Sequence, residues 1–226
     1  MNGFMKRIGL VVAVIVLSLG QLCAGNDFFR LGITAGGNIT KVRGSGEGFL
    51  HTGWRYDSSG GYFVGMAARV SIPILNFGLD ASLVYSQEMA DLESGNARLM
   101  DKLRYFSVPV HVRYDFELPM LSELVVPYVF AGPQCNFALN EFDFYELFRQ
   151  DPETARRFSE YDWEELTNSR VWKFDLGFGI IVASHVQVSY FYAIPLESTF
   201  RFKTLYDDSR THFRTGTHRI GLTYYF

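Results

Sequence analysis

Serine and histidine side chains could give this protein hydrolytic chemistry. Ser107 and His111 are four residues apart, and Ser184 and His185 are adjacent. A serine hydroxyl becomes a nucleophile when a histidine accepts its proton, and such pairs cleave ester bonds. The sequence shows no assembled triad, so we expect no enzymatic activity. The alternative interpretation of His111 is a buried side chain that bonds a neighbouring carboxylate.

Charged side chains form a second candidate site, because they recur at alternate positions within otherwise apolar segments. Lys173 and Asp175 are one example, and Arg113 and Asp115 are another. Buried charges of opposite sign must pair with one another, so a packed polar network is expected. A pathway for protons or ions is the alternative. The candidate network contains Arg69, Asp80, His111, Arg113, Asp115, Lys173, Asp175 and Arg219.

The segment 140–169 is a candidate binding surface. It contains nine acidic and three basic residues together with many aromatic ones. A loop of this length is usually functional or disordered, and the aromatic content argues against disorder. Asp151 and Pro152 predict the start of a short helix. The segment is interpreted either as a lid or as a surface for a protein or glycan partner, with candidate contacts at Phe144, Tyr145, Phe158, Tyr161 and Trp163.

The remaining histidines give no metal signature. His51 and His212 lack the spacing that is diagnostic of a metal site. His212 and His218 are catalytic candidates only because they lie near a predicted loop. We therefore expect neither a metal nor a cofactor.

The elements that carry these residues are β-strands, as the last ten residues indicate. Within 217–226, apolar side chains occupy every second position from Ile220 to Phe226. Alternate side chains of a strand point to opposite faces. About ten residues of such alternation cross the hydrocarbon core of a bilayer when the strand is tilted. Eight segments share the pattern: 31–39, 64–72, 77–86, 106–116, 127–139, 172–182, 186–194 and 217–226.

The connections between these segments alternate in length, which is typical of an outer-membrane barrel with short periplasmic turns and long extracellular loops. We therefore predict an all-β fold, an eight-stranded antiparallel transmembrane β-barrel with its charged face inward. A tight turn at 74–75 places Arg69 opposite Asp80 as a cross-strand ion pair. Short connections are predicted at 73–76, 117–123 and 183–185, and long ones at 40–60, 87–101, 140–169 and 197–212.

Aromatic residues cluster near the strand ends, where amphipathic rings favour the two bilayer interfaces. The predicted periplasmic girdle contains Phe28, Phe29, Phe77, Phe116 and Phe226. The predicted extracellular girdle contains Tyr85, Tyr105, Trp172 and Tyr192.

The amino terminus predicts export. Lys6 and Arg7 precede an apolar run at 8–19, and small residues follow it. This is the plan of a secretory signal peptide, which we place at 1–25, and the barrel domain then covers 26–226.

The overall composition excludes two further classes of protein. A net charge of −3 and the lack of a basic patch indicate no nucleic-acid partner. Cleavage after Cys23 would leave Cys135 alone in the mature chain, so a small disulfide-stapled domain is not expected.

Four stretches resemble a known family. They are GYFVGMAARVSIP at 61–73, YFSVPVHVRYDF at 105–116, PYVFAGPQCNFAL at 127–139, and the terminal HRIGLTYYF. These are similar to the PorT-type, OmpA-like outer-membrane β-barrel proteins of Bacteroidota. The resemblance implies an eight-stranded barrel in the outer membrane of a Gram-negative bacterium. It also implies an association with type IX secretion, although most family members have no established activity.

Three hypotheses of function follow. The first is a non-enzymatic outer-membrane protein that assists or anchors an envelope or type IX secretion assembly. The alternatives are a purely structural barrel or narrow pore, and a lipid-modifying enzyme. The expected partners are outer-membrane lipid, an envelope or secretion protein, and the barrel-assembly machinery, which would recognise the carboxy-terminal strand ending at Phe226.

Overall fold

The computed structural model describes residues 28–45, 55–57, 59–72, 75–94, 97–116, 124–140, 169–203 and 210–226. The predicted signal peptide and most of the segment 140–169, including its predicted helix and all five candidate contacts, lie outside the described residues. The described residues contain no helix that is both long enough and apolar enough to span a membrane.

Ten strands make up the described chain. They are β1 (Phe29–Ser45), β2 (Arg55–Asp57), β3 (Ser59–Ile72), β4 (Phe77–Ser94), β5 (Ala97–Asp115), β6 (Val125–Ala138), β7 (Arg170–Val182), β8 (Val186–Pro195), β9 (Phe200–Lys203) and β10 (Arg210–Tyr225). Eight of them pair in the order β1-β3-β4-β5-β6-β7-β8-β10, and β10 pairs with β1. This is the predicted closed, eight-stranded antiparallel barrel. The short strands β2 and β9 pair with β4 and β10.

Closure between the first and last strands removes the sheet edges. β1 and β10 pair from Gly32 opposite Tyr225 to Ser45 opposite His212. The backbone N–H of Phe226 donates to Leu31 O at 2.8 Å, which extends the seam at the end where the short turns lie. A barrel without free edges satisfies its backbone hydrogen bonds internally, as a bilayer requires.

The strands are longer than the sequence pattern predicts. The long connection predicted at 87–101 is wrong, because β4 and β5 continue until Ser94 pairs with Ala97. The long connections predicted at 40–60 and 197–212 also contain parts of β1 and β10 and the short strands β2 and β9. Apolar alternation ends where the lipid ends, whereas backbone pairing between strands continues into water.

The two faces of the wall have opposite polarity. In β7, Leu176 and Phe178 are 58% and 59% exposed, whereas Lys173 and Asp175 are 1% and 0% exposed. A soluble barrel would bury its apolar face instead. An apolar exterior around a charged interior fits a surface that is solvated by lipid.

One member of the predicted extracellular girdle is wrong. Tyr105 is 2% exposed and lies inside the barrel, because it has the same strand parity as the inward Ser107. Trp172 does lie outside toward the loops, at 40% exposure. At the other end, Phe77 and Phe116 lie outside beside the short turns.

The lipid-facing assignment of β8 predicts a stability change. Val188 points outward between Ile180 and Leu222. We expect Val188→Arg to lower the free energy of unfolding by about 2–4 kcal/mol, because a cation would enter the hydrocarbon region. Urea unfolding in lipid vesicles, followed by the gel shift between unboiled and boiled protein, measures this change.

Leu196→Arg is the matched control, because Leu196 is also exposed but follows β8 at its loop end. Its expected cost is about 0–1 kcal/mol. Equal costs for the two variants would contradict the assignment of Val188 to the middle of the membrane.

Candidate functional site

Glycines and aromatic rings shape the interior of the barrel. A Cβ atom at Gly36 would lie 2.5 Å from Phe63 Cζ, and one at Gly177 would lie 2.6 Å from Phe130 Cζ. The rings therefore occupy the space that the glycines leave open. Phe63, Phe130 and Phe191 are at most 7% exposed, and sequence reasoning did not single them out. Strand parity is the signal that could have found them, because Phe63 alternates with Gly61 and Gly65, Phe130 with Gly132, and Phe191 with Ser189.

Four charged residues near the short turns form the turn-side cluster: Arg69, Asp80, Arg113 and Asp115. Arg113 Nη1 donates to both oxygens of Asp80, at 3.0 Å and 3.1 Å. Arg113 Nε lies 2.6 Å from Asp115 Oδ1. Arg69 lies opposite Asp80 in the register of β3 and β4, and its Nε donates to Asp80 Oδ1 at 3.3 Å. The predicted cross-strand ion pair is therefore confirmed.

Polar and aromatic neighbours complete the turn-side cluster. Arg69 also donates to the side chain of Gln187. Its guanidinium carbon lies 4.0 Å from the centre of the Tyr225 ring, a cation–π distance. Arg113 Nη2 donates to Ser71 Oγ at 3.2 Å. These contacts hold both guanidinium groups in place.

Three further charged residues form the loop-side cluster: Glu88, Lys173 and Arg219. Arg219 Nη2 donates to Glu88 Oε1 at 3.0 Å, and Lys173 Nζ lies 3.3 Å from Glu88 Oε2. All three are at most 2% exposed. The hydroxyl of Thr217 accepts from Lys173 Nζ at 3.0 Å, and Gln134 Oε1 accepts from Arg219 Nη1 at 3.1 Å.

Glu88 is the central residue that sequence reasoning missed, because it was assigned to a loop. Two signals could have found it. Its position continues the inward alternation of Asp80, Ser82 and Ser86. The predicted network also contained four cations but only three carboxylates, and buried charges require compensation.

His111 and Asp175 lie between the two clusters. His111 Nε2 is 2.8 Å from Asp175 Oδ2, and the His111 ring centre is 4.8 Å from that of Phe130. Asp175 is fully buried. Ser107, the serine considered as a candidate nucleophile, has its hydroxyl 3.5 Å from that of Ser86 instead. His111 therefore bonds a carboxylate, as its alternative interpretation predicts.

Two other candidate histidines, His185 and His218, lie outside the interior. His185 lies in the exposed turn between β7 and β8, where its Nδ1 is 2.7 Å from Ala183 O. His218 faces outward, with its Nδ1 2.8 Å from the hydroxyl of Tyr190. The backbone of His212 belongs to β10, and His51 is outside the described residues.

A cavity of about 50 Å³ separates the clusters. Asp80 of the turn-side cluster and Arg219 of the loop-side cluster both line it, together with Phe63, Phe130 and Phe191. This volume has room for a few water molecules. Paired charges and aromatic rings of the described residues therefore fill the interior around a small polar space.

The sequence matches a known protein family over most of its length. Residues 9–226 match the family described as outer membrane protein beta-barrel domain. The chain belongs to this family. Its location is accordingly the outer membrane. No curated protein matches the sequence.

Three solved structures illustrate what the chain is similar to. OprG from Pseudomonas aeruginosa is 14% identical, with a TM-score of 0.50 over 87% of this chain and 96% of that chain. Neisserial surface protein A is 15% identical, with a TM-score of 0.43 over 87% and 97%. Ail of Yersinia pestis, in complex with the heparin analogue sucrose octasulfate, is 14% identical, with a TM-score of 0.41 over 88% and 99%. The likeness to OprG supports the fold alone.

Charge in the interior of this outer membrane barrel is balanced. Among the residues that the structure describes, four buried cations, Arg69, Arg113, Lys173 and Arg219, share the space with four carboxylates, Asp80, Glu88, Asp115 and Asp175. Within the described part of the chain, no group of three or more histidine, cysteine, aspartate and glutamate side chains could hold a metal ion. The arrangement chemically favours charge pairing inside a closed wall.

Proposed function

We propose that this protein is a non-enzymatic outer-membrane barrel that assists or anchors an envelope assembly, specifically the type IX secretion system of Bacteroidota. In this proposal, the membrane-spanning part holds the protein in place and the exposed parts contact the partner. The main observation that supports this proposal is a filled interior combined with walls that continue beyond the membrane.

The filled interior supports an anchoring role over transport. The turn-side and loop-side clusters lie in series, with a cavity of about 50 Å³ between them. A narrow pore would require both clusters to rearrange, and each rearrangement would separate buried opposite charges. The structural-barrel alternative shares this closed interior and differs only in lacking a partner.

The extended walls supply a surface for a partner. β4 and β5 contain 18 and 19 residues, whereas a tilted strand crosses the bilayer with about 9–11. The excess lies at the loop end, where β2 continues the line of β3 and pairs with Asp91–Glu93 of β4, which lengthens the paired sheet. A paired sheet that rises from the membrane is a more rigid recognition surface than a mobile loop.

The interior does not favour the lipid-modifying enzyme. Ser107 and His111 both point inward, and each side chain contacts a different group, Ser86 and Asp175. An enzyme acting on membrane lipid would need its nucleophile and base together on the outer surface.

The sequence resemblance to PorT-type proteins supplies the secretion part of the proposal.

The carboxy-terminal strand β10 has a proposed role in the insertion of the barrel into the membrane. Its outward apolar residues, Ile220, Leu222 and Tyr224, lead to the aromatic Phe226. We propose that the barrel-assembly machinery recognises this strand during insertion.

Deletion of the gene tests the proposal. We expect a selective loss of surface-attached and secreted cargo proteins, with their accumulation in the periplasm, measured by mass spectrometry of the separated fractions. The wild-type gene should restore the profile. An unchanged profile would contradict a secretion role and favour the purely structural barrel.

A shortened variant separates the wall extension from the membrane-spanning part. Ala90 lies opposite Asp101, in the same phase of the ladder as Ser94 opposite Ala97, so an Asn-Gly turn can replace residues 91–100 without a change of register. We expect this variant to insert and show the gel shift, but not to restore secretion. Full restoration would mean that the β4–β5 extension is not the partner surface.

A further inference from the structure

Two glycines on the outer wall are not explained by internal packing. A Cβ atom at Gly37 or at Gly60 would have no neighbour closer than 3.9 Å, and each faces open space. Every other glycine whose surroundings the structure describes would bring a Cβ within 3.0 Å of another atom. Gly37 and Gly60 thus leave room outside the barrel rather than within it.

The two positions lie beside each other and form a depression in the apolar surface. Gly37 pairs with Tyr62, and the next outward pair is Ile39 with Gly60. On the other side of β1, Gly37 pairs with Ile220, which is 62% exposed. Tyr62 and Ile39 are also exposed, at 48% and 51%. A depression with two glycines at its base and large apolar side chains at its sides has a shape that can hold an acyl chain.

Two cations border this depression on the loop side. Lys41 is the next outward residue of β1 after Ile39, and it pairs with Gly216 of β10. Arg214 lies two positions from Gly216 on the same outward face, and both cations are exposed. They therefore stand just above the apolar belt, at the level where the headgroups of the outer leaflet begin.

A tyrosine hydroxyl lies over Gly216, the residue opposite Lys41 and two positions from Arg214. A Cβ atom at Gly216 would meet Tyr192 Oη at 2.2 Å, so this hydroxyl lies over the glycine. The Tyr192 ring packs 4.6 Å from the ring of His218, which holds it in place. An ammonium, a guanidinium and a hydroxyl around one small residue match the donors that bind phosphate.

We propose that this part of the wall binds one phosphate-bearing lipid of the outer leaflet. The phosphate lies between Lys41 and Arg214, and one acyl chain lies in the depression over Gly37 and Gly60. Charge complementarity selects an anionic headgroup, and the adjoining apolar floor selects a lipid over a soluble anion.

The test measures binding of monophosphoryl lipid A to the full chain in detergent by native mass spectrometry. We expect Lys41→Gln combined with Arg214→Gln to weaken binding about 30-fold. We expect Gly37→Leu to weaken it about tenfold, because the new side chain displaces about two buried methylene groups. Gly60→Leu fills the same depression from β3 and replaces Gly37→Leu if that variant does not fold.

Matched controls lie elsewhere on the wall. Lys102→Gln combined with Arg104→Gln removes two exposed cations from β5, and Ala131→Leu enlarges a small outward residue of β6. Both should retain wild-type binding, and every variant is first checked for the gel shift. Equal weakening by both cation pairs would overturn the proposal in favour of general charge attraction.

Two further results would also overturn it. Unchanged binding when both Gly37→Leu and Gly60→Leu fold would remove the acyl-chain site. Displacement of the lipid by millimolar inorganic phosphate would assign the cations to a soluble anion. Retention of the lipid under the same conditions supports the proposal.

Discussion

Glu88→Gln is expected to lower the free energy of unfolding by about 3–5 kcal/mol. The substitution keeps the shape of the side chain and removes the carboxylate that Lys173 and Arg219 share. Both cations are almost fully buried, at 1% and 2% exposure, so water cannot replace the lost partner. Urea unfolding in lipid vesicles, read from the unboiled and boiled gel bands, measures the change.

A charge-balanced variant is the control for Glu88→Gln. Adding Lys173→Met removes one cation together with the carboxylate. The described part of the interior then contains three cations and three carboxylates instead of four of each. Most of the lost stability should return, because the removal of both partners avoids an uncompensated buried charge. A loss below about 1 kcal/mol for Glu88→Gln alone would show that the loop-side cluster is hydrated.

Arg113→Ala is the second large effect, with an expected loss of about 3–5 kcal/mol. Arg113 is 1% exposed and contacts two carboxylates, Asp80 at 3.0 Å and Asp115 at 2.6 Å. Its removal leaves these two negative charges close together in the turn-side cluster. The same unfolding measurement applies. A change within about 1 kcal/mol would contradict the buried pairing.

Gly78 provides a specific check on the position of Arg113. A Cβ atom at Gly78 would lie 2.7 Å from Arg113 Nη2, and the two carboxylates prevent that group from moving aside. We expect Gly78→Ala to destabilise the wild-type barrel and to have little further effect in Arg113→Ala. Equal effects in both backgrounds would show that Arg113 does not occupy the space above Gly78.

A substitution in either cluster is expected to lower stability without raising the conductance of the barrel. Each lies across the interior at a different height, so neither substitution alone opens a path through the barrel. Planar-bilayer recordings of Glu88→Gln and Arg113→Ala should therefore show no more conductance than the wild type. Increased conductance in either single variant would favour the narrow-pore hypothesis.

The sequence by itself determined the wall of this protein. Strand number, the lipid-facing side and the pairing of Arg69 with Asp80 all follow from alternation and short turns. These are local properties: a period of two assigns each side chain to a face, and a tight turn sets the register of the next strand. The lipid environment makes the alternation easier to recognise in the sequence, because it requires apolar residues on one face of every strand.

The tertiary structure decided what the inward residues contact. Glu88 meets Lys173 and Arg219, which are 85 and 131 residues away in sequence. Strand parity places a side chain inside, but the contact depends on tilt and closure of all eight strands. The sequence pattern did not predict the loop-side ends of β4 and β5 for a different reason. Above the membrane, water solvates both faces of a strand, so the apolar alternation is absent. The backbone then continues to pair where the sequence pattern has already stopped.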